Sequence, residues 1–96
     1  MKSSKEIQAI LARNKSRLFK VYPIKSLAIF GSFSRNEQGA NSDLDILVEF
    51  NDKIGLQFMD LANELEKLVE TKVDLVSKKG VKKQYLESIE EDLIYV

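Results

Sequence analysis

The spacing of apolar residues along the chain predicts three helices. Ser3 followed by Glu6 fits a helix-capping box, and apolar positions then recur every three or four residues, which predicts a helix over about residues 4–19. The same spacing returns over about residues 55–70 and about residues 80–91. The apolar positions of these two later segments are Leu56, Met59, Leu61, Ala62, Leu65, Leu68 and Val69, followed by Val81, Tyr85, Leu86 and Ile89.

Short apolar or alternating segments between the helices predict strands. Residues 26–30 are mostly apolar and precede Gly31, residues 44–50 alternate between polar and apolar, and residues 72–76 form a third such segment. Residues 93–96 predict a short edge strand. The order α-β-β-α-β-α-β indicates an α/β (α+β) fold, in which a small mixed sheet is backed by helices on one face.

Length and composition are those of an ordinary globular protein. The chain has 96 residues, of which 44% are hydrophobic and 31% charged, so we expect one soluble domain over residues 1–96. The first residues lack the apolar stretch of a signal peptide, and no apolar run reaches the length that crosses a membrane. We therefore expect a cytoplasmic protein that has no membrane partner.

Missing residue types exclude several classes of catalytic site. The sequence contains no Cys and no His, so thiolate nucleophiles, imidazole-bound zinc and Ser-His-Asp triads are excluded. Any general base must be a carboxylate, a Lys or a Tyr. The three tyrosines, Tyr22, Tyr85 and Tyr95, are assigned to core or edge positions rather than to a nucleophile.

Charge is balanced overall but unevenly distributed along the chain. The formal net charge is zero, yet residues 1–35 carry a net charge of +7 and residues 36–77 carry −7. Since the protein is not strongly basic, we do not expect nucleic acid as a direct partner. The acidic middle of the chain is typical of a site for Mg²⁺ or Mn²⁺, because these ions prefer oxygen ligands.

Three aspartates are the candidates for that metal site. Asp43 and Asp45 are two residues apart on a predicted strand, so both carboxylates emerge on one face, about 7 Å apart along the chain. Asp74 lies on the third strand between two apolar residues. Cations would relieve the repulsion among three carboxylates, and two such ions would stabilise the attacking and leaving oxygens of a phosphoryl displacement. The alternative is a solvated strand face, which the same alternation also predicts.

Gly31 and Ser32 are candidates for phosphate binding. A strand that ends in Gly-Ser and enters a tight turn leaves backbone N–H groups without internal partners, and such groups bind phosphate oxygens. Gly allows close approach of the backbone, and the Ser hydroxyl adds a donor. Arg35 lies in the same loop and is either a triphosphate or carboxylate contact or an exposed surface charge.

These residues together form a specific combination. Gly31-Ser32 is followed after ten residues by Asp43-Leu44-Asp45, and later by Val73-Asp74-Leu75. The combination resembles the polymerase-β-like nucleotidyltransferase superfamily and, within it, the minimal nucleotidyltransferase (MNT) antitoxins of HEPN/MNT toxin–antitoxin pairs. The resemblance covers nearly the whole chain, from Ile24 to the C-terminus.

The resemblance implies a reaction and a role for each of these residues. Members of the family transfer a nucleotidyl group, usually AMP from ATP, to a hydroxyl group with the help of two Mg²⁺ ions. The matching positions imply that Gly31 and Ser32 hold the triphosphate and that Asp43 and Asp45 ligate the metal ions. Asp74 would ligate the catalytic ion and help to activate the attacking hydroxyl. All three aspartates are thus predicted to be catalytic.

The resemblance also implies a partner. In the antitoxin members the acceptor is a tyrosine of a HEPN ribonuclease toxin, and the modification silences that toxin. A HEPN-type protein is therefore the expected partner, and a dimer or hetero-oligomer the expected assembly. Three alternatives stay open: an antitoxin that acts by binding alone, a nucleotidyltransferase that modifies RNA or a small molecule, and a regulatory nucleotide-binding protein.

Two positions depart from the family pattern without removing a catalytic group. Many members have Arg-Gly where this chain has Arg35-Asn36, but Asn also tolerates left-handed backbone geometry. Many members have Gly shortly before the third aspartate, where this chain has Glu70 at a predicted helix end. We expect the second departure to alter the helix end and not the site.

Overall fold

The computed structural model describes residues 2–96 and contains every element that the sequence predicts. The elements are the helices α1 (Ser4–Val21), α2 (Gln57–Val69) and α3 (Lys83–Ile89) and the strands β1 (Ile24–Phe30), β2 (Leu44–Phe50), β3 (Val73–Ser77) and β4 (Ile94–Tyr95). Short 3₁₀ turns follow β1, β3 and α3. α3 is shorter than its predicted range because two of these turns lie on either side of it.

α1 is the longest helix and begins at the predicted cap. The Ser3 hydroxyl oxygen accepts a hydrogen bond of 3.1 Å from the Glu6 N–H, and the Glu6 carboxylate accepts one of 3.1 Å from the Ser3 N–H. This reciprocal pair satisfies two backbone donors that a helix start otherwise leaves without partners. None of the helices described in residues 2–96 combines the length and the apolar character needed to cross a membrane.

The four strands form one mixed sheet in the order β3-β2-β1-β4. β1 is antiparallel to β2 and β4, whereas β2 is parallel to β3 and connects to it through α2. A parallel pair needs such a crossover, and the crossover places the starts of the two strands side by side. In the resulting register Asp45 lies opposite Asp74 on one side and opposite Phe30 on the other.

The main hydrophobic core lies between the sheet, α1 and α2. Leu44, Ile46 and Val48 of β2 are completely buried in it, as the alternation of that strand predicts. Phe33, in the turn after β1, is buried in the same core and anchors the loop that follows. The buried residues of α1 and α2 are Ile7, Leu11 and Leu18 with Leu61, Leu65 and Val69.

α3 covers part of the opposite face of the sheet, so the expectation that helices back one face only is wrong. Ile89 of α3 packs with Phe30 and Leu47 in a second, smaller cluster. Because side chains alternate along β2, Leu47 and Asp45 share this second face. The last helix therefore lies over the face that carries the aspartates.

Candidate active site

Asp45 and Asp74 lie side by side at the centre of the candidate site. They are partners in the parallel pairing of β2 and β3, so their side chains project from the same face of the sheet. Asp43 lies just before β2 and is exposed, as is Asp74, whereas Asp45 is partly buried. The structure thus brings Asp45 and Asp74 together and leaves Asp43 beside them. Their function as metal ligands stays a prediction.

Burial and neighbouring negative charges raise the pKa of Asp45 from 3.8 to about 6. Burial is the largest cause, followed by the charges of Asp74 and Asp43 and a hydrogen bond with Asp74, while Arg35 acts in the opposite direction. A carboxylate cluster that resists full ionisation favours an added cation. The donor chemistry therefore fits a hard divalent ion.

The side chains do not yet converge on one point. Among residues 2–96, no three carboxylates are placed closely enough to hold a metal ion. Asp43 and Asp74 are both exposed at the surface.

Gly31 brings the phosphate-binding candidate loop against Asp45. Its φ is +76°, in the left-handed region that favours glycine, and it begins the 3₁₀ turn after β1. A Cβ atom at this position would overlap Oδ2 of Asp45 and lie 3.1 Å from its Cγ. The carbonyl of Gly31 accepts hydrogen bonds from the Ser34 N–H at 3.1 Å and the Ser34 hydroxyl at 2.8 Å. The turn is thereby held closed beside the carboxylates.

Ser32 lies inside this turn, where the first N–H groups have no acceptor within the turn itself. Its own carbonyl accepts a hydrogen bond of 2.8 Å from the Glu37 N–H, which closes the loop further. Asn36 adopts φ +58°, so the expectation that Asn takes the left-handed place of the family's Gly is confirmed. Phosphate binding by this loop stays a prediction.

Arg35 is engaged with two carboxylates. Its guanidinium donates to Glu37 at 2.8 Å and to Asp92 at 2.9 Å, and these bonds raise the pKa of Arg35. Its charge also reaches Asp45, where it partly offsets the rise in pKa. The side chain is exposed, and exposed ion pairs of this kind contribute little to stability.

Glu66 and Glu70 fix the entry into β3, just before Asp74. Glu70 ends α2 with φ +55°, and its N–H donates to the Glu66 carbonyl at 2.8 Å. The Glu66 carboxylate accepts a hydrogen bond of 2.9 Å from the Val73 N–H. Glu70 thus adopts the left-handed backbone for which the family commonly uses Gly, while its side chain pairs with Lys2 at 3.2 Å.

Tyr85 is a neighbour of the aspartates that the sequence analysis missed. Of the core or edge positions expected for it, Tyr85 takes the edge, because 44% of the residue is exposed. Its ring meets that of Phe30 edge-on at 6.2 Å, and burial together with the charges of Asp45 and Asp74 raises its pKa. Helical spacing marks Tyr85 as apolar-facing, but only the tertiary structure shows which face of the sheet α3 meets.

Two surface depressions differ in their relation to the aspartates. One of about 480 Å³ lies beside Asp43 and is also lined by Phe33, Ser42 and Thr71. A larger groove of about 1260 Å³ lies at the far end of β2, around Glu49. Glu49 contacts Lys25 at 3.7 Å and Lys78 at 3.5 Å, so its charge is paired with lysines and not with the aspartates.

Sequence comparison identifies similar proteins along the whole chain. A family model described as nucleotidyltransferase domain matches residues 9–96. A Methanocaldococcus jannaschii protein, provisionally named a protein adenylyltransferase, is 51% identical over 98 residues, which cover all of this chain and all of that protein. The protein adenylyltransferase MntA of Thermococcus cleftensis is 34% identical over 97 residues, which cover all of this chain and 98% of that protein.

Solved structures share the fold. One that is provisionally described as a minimal nucleotidyltransferase has a TM-score of 0.76 and 30% identity, covering 92% of this chain and 93% of the other. A toxin–antitoxin structure with AMP-PNP has a TM-score of 0.70 and 24% identity, covering 96% and 70%. A complex of a tri-AMPylated Shewanella oneidensis HEPN toxin with an MNT antitoxin has a TM-score of 0.61 and 20% identity, covering 88% and 69%.

Proposed function

Because this chain belongs to the nucleotidyltransferase domain family and is a minimal nucleotidyltransferase, we propose that it transfers AMP from ATP to a hydroxyl group of a partner protein. The observation that carries this proposal is the register of Asp45 with Asp74 beside the turn at Gly31. Carboxylates and a phosphate-binding turn then lie on one face of the sheet. Two relatives that align along their full length are named protein adenylyltransferases, one of them provisionally.

Asp43, Asp45 and Asp74 would hold two Mg²⁺ ions, with Mn²⁺ as the alternative. The pKa of Asp45, raised by burial and by the charges of Asp74 and Asp43, supports this, since a cation offsets the repulsion among these carboxylates. When bound, such ions neutralise charge that develops on the phosphoryl oxygens. ATP as the donor is supported by the structural neighbour that contains AMP-PNP. With ATP as the donor, we place the reaction in the cytoplasm.

The residues of this chain would act mainly by positioning the reactants. The N–H groups and hydroxyl at Gly31 and Ser32 would hold the triphosphate, and Arg35 would exchange a carboxylate partner for a phosphate oxygen. Asp74 is exposed on the outer strand β3, which we call the acceptor side, and would accept the proton of the attacking hydroxyl. The hydroxyl oxygen then attacks the α-phosphorus and pyrophosphate leaves.

The partner in this proposal is a HEPN-type ribonuclease toxin, with a tyrosine as acceptor, so that transfer makes this protein an antitoxin. The support is the complex of a tri-AMPylated HEPN toxin with an MNT antitoxin, whose fold this chain shares. Asp74 is accessible, because it is exposed and lies on β3, the outermost strand of the sheet. A side chain from a partner can therefore approach it.

The test is AMP transfer measured by intact mass spectrometry of both chains. The purified protein is incubated with a HEPN-type protein from the same organism, ATP and Mg²⁺. We expect an AMP-sized increase on the partner, which is lost in Asp43→Asn and retained in Asp52→Asn. Asp52 is a suitable control because it is an exposed aspartate beyond the far end of β2.

The other outcomes separate the alternatives. If a stable complex neutralises the toxin without any mass increase, the protein acts by covering the toxin and not by AMP transfer. If the protein neither binds nor modifies the partner but labels RNA or a small molecule, nucleotidyl transfer stands and the protein acceptor is rejected. Equal transfer by Asp43→Asn and the unaltered protein would reject the assigned site.

A further inference from the structure

Tyr85 lies on the same face of the sheet as the predicted catalytic carboxylates. α3 is held on that face by Leu86 and Ile89, which pack with Phe30 and Leu47. The ring of Tyr85, one residue before Leu86, meets the ring of Phe30 with centroids 6.2 Å apart and planes at 85°. Such an edge-on aromatic contact fixes the direction of the Tyr85 side chain.

Phe30 connects Tyr85 to the site through the strand register. Phe30 is the partner of Asp45 in the antiparallel pairing of β1 and β2, and Asp45 is the partner of Asp74 in the parallel pairing of β2 and β3. Residues that face each other in a register project to the same side of a sheet. The three side chains therefore form a row, and Tyr85 lies over its β1 end. Burial, and after it the charges of Asp45 and Asp74, raise the pKa of the phenol.

The Tyr85 hydroxyl is available for reaction. The residue is 44% exposed, and within residues 2–96 its hydroxyl forms no hydrogen bond. The other tyrosines differ. Tyr22 is buried and donates to Glu64 at 3.0 Å, while Tyr95 is exposed on β4, which β1 separates from the aspartates on β2.

We propose that Tyr85 is an internal acceptor, so that this enzyme adenylylates its own Tyr85 when no partner occupies the acceptor side. The inference rests on the proposed function, since it uses the same donor and the same carboxylates. The phenolic oxygen of Tyr85 forms a bond to the α-phosphorus of ATP. The bond from that phosphorus to the bridging oxygen breaks, pyrophosphate leaves with the electron pair, and the phenolic proton passes to Asp45, which is the neighbour of Phe30 in the row.

The transfer is intramolecular, because α3 holds Tyr85 over the site of its own chain. The rate per molecule is therefore independent of protein concentration. Tyr85 is the only tyrosine of the described chain whose ring contacts the row of residues that includes Asp45. Modification is accordingly confined to that residue.

The experiment incubates the full chain alone with ATP and Mg²⁺ and measures intact mass, followed by fragmentation to locate the adduct. A parallel reaction contains the same HEPN-type protein. We expect one AMP on the isolated chain, at Tyr85, absent in Tyr85→Phe and in Asp43→Asn. Tyr95→Phe, the matched control, carries the modification as the unaltered protein does. Circular dichroism of each variant establishes that it is folded.

Several outcomes overturn the inference. If the partner gains AMP while the isolated chain does not, Tyr85 is not an acceptor and the proposed function stands. If neither chain gains AMP, both proposals fail together. An adduct on another residue, or a rate per molecule that rises in proportion to protein concentration, also rejects intramolecular transfer to Tyr85.

Discussion

Gly31 and Asp45 occupy adjoining space so closely that no side chain fits at position 31. A Cβ atom there would overlap Oδ2 of Asp45, and the φ of +76° is itself unfavourable for any L-residue. The glycine therefore does two things at once: it permits the turn after β1, and it leaves room for a carboxylate in the predicted ligand set. A side chain added at position 31 would therefore disturb both the turn and the carboxylate.

Gly31→Ala should destabilise the protein and abolish AMP transfer. Left-handed strain and overlap with Asp45 together should cost about 1–3 kcal/mol in the free energy of unfolding. Urea unfolding gives the stability, and transfer is measured under conditions where the variant is still folded. Gly55→Ala is the matched control, because a Cβ there meets nothing within 4 Å. Equal stability of the two variants would contradict the close approach.

The pKa of Asp45 predicts a pH-dependent stability in the absence of divalent ions. The folded state holds this proton more tightly than the unfolded state does, since the pKa is raised from 3.8 to about 6. Its contribution therefore favours folding most strongly below about pH 4, decreases as the pH rises to about 6 and stays low above it.

Asp43→Asn should make this pH dependence shallower, because it removes one of the charges that raise the pKa of Asp45. At neutral pH the variant should be more stable by up to about 1 kcal/mol, a modest effect since solvent screens these charges. Urea unfolding across the pH window in a chelator measures it, with Asp52→Asn as the control. A slope identical to that of the unaltered protein would reject the coupling between the two aspartates.

Divalent ions should stabilise the folded protein through the same carboxylates. An ion that binds only the folded state at about 100 times its Kd adds about 2.7 kcal/mol to the free energy of unfolding. The proton on Asp45 competes with the ion, so the affinity should fall as the pH drops below about 6. Calorimetric titration with MnCl2 measures this. Asp45→Asn should bind much more weakly and Asp52→Asn unchanged, and equal binding by both variants would place the ion elsewhere.

Arg35→Gln should raise the KM for ATP several-fold and change stability by less than about 1 kcal/mol. The stability effect is small because the ion pairs with Glu37 and Asp92 are exposed. The KM effect follows if the guanidinium exchanges a carboxylate for a phosphate during binding. Arg13→Gln, an exposed arginine on α1, is the control for loss of charge. An unchanged KM would leave Arg35 with a structural function in the loop.

Local sequence patterns predict the helices and strands and show which residues of each element share a face. The capping box at Ser3 and the buried face of β2 depend on neighbours along the chain, and both are confirmed. The left-handed Asn36, expected from the family pattern, is confirmed as well. The placement of Asp45 on the polar face of β2 also follows from alternation alone. These features are readable because side-chain direction in a helix or strand repeats with a fixed period.

Strand order and register are decided by the tertiary structure. The pairing of Asp45 with Asp74 depends on the parallel crossover through α2, which joins residues 29 positions apart in sequence. Likewise, the pairing of Arg35 with Asp92 and the position of Tyr85 beside Phe30 depend on where the C-terminal segment packs. Periodicity states which residues of an element share a face, but long-range packing decides what that face meets. The sequence by itself therefore determines the elements and the candidate chemistry, while the tertiary structure decides which groups meet in the site.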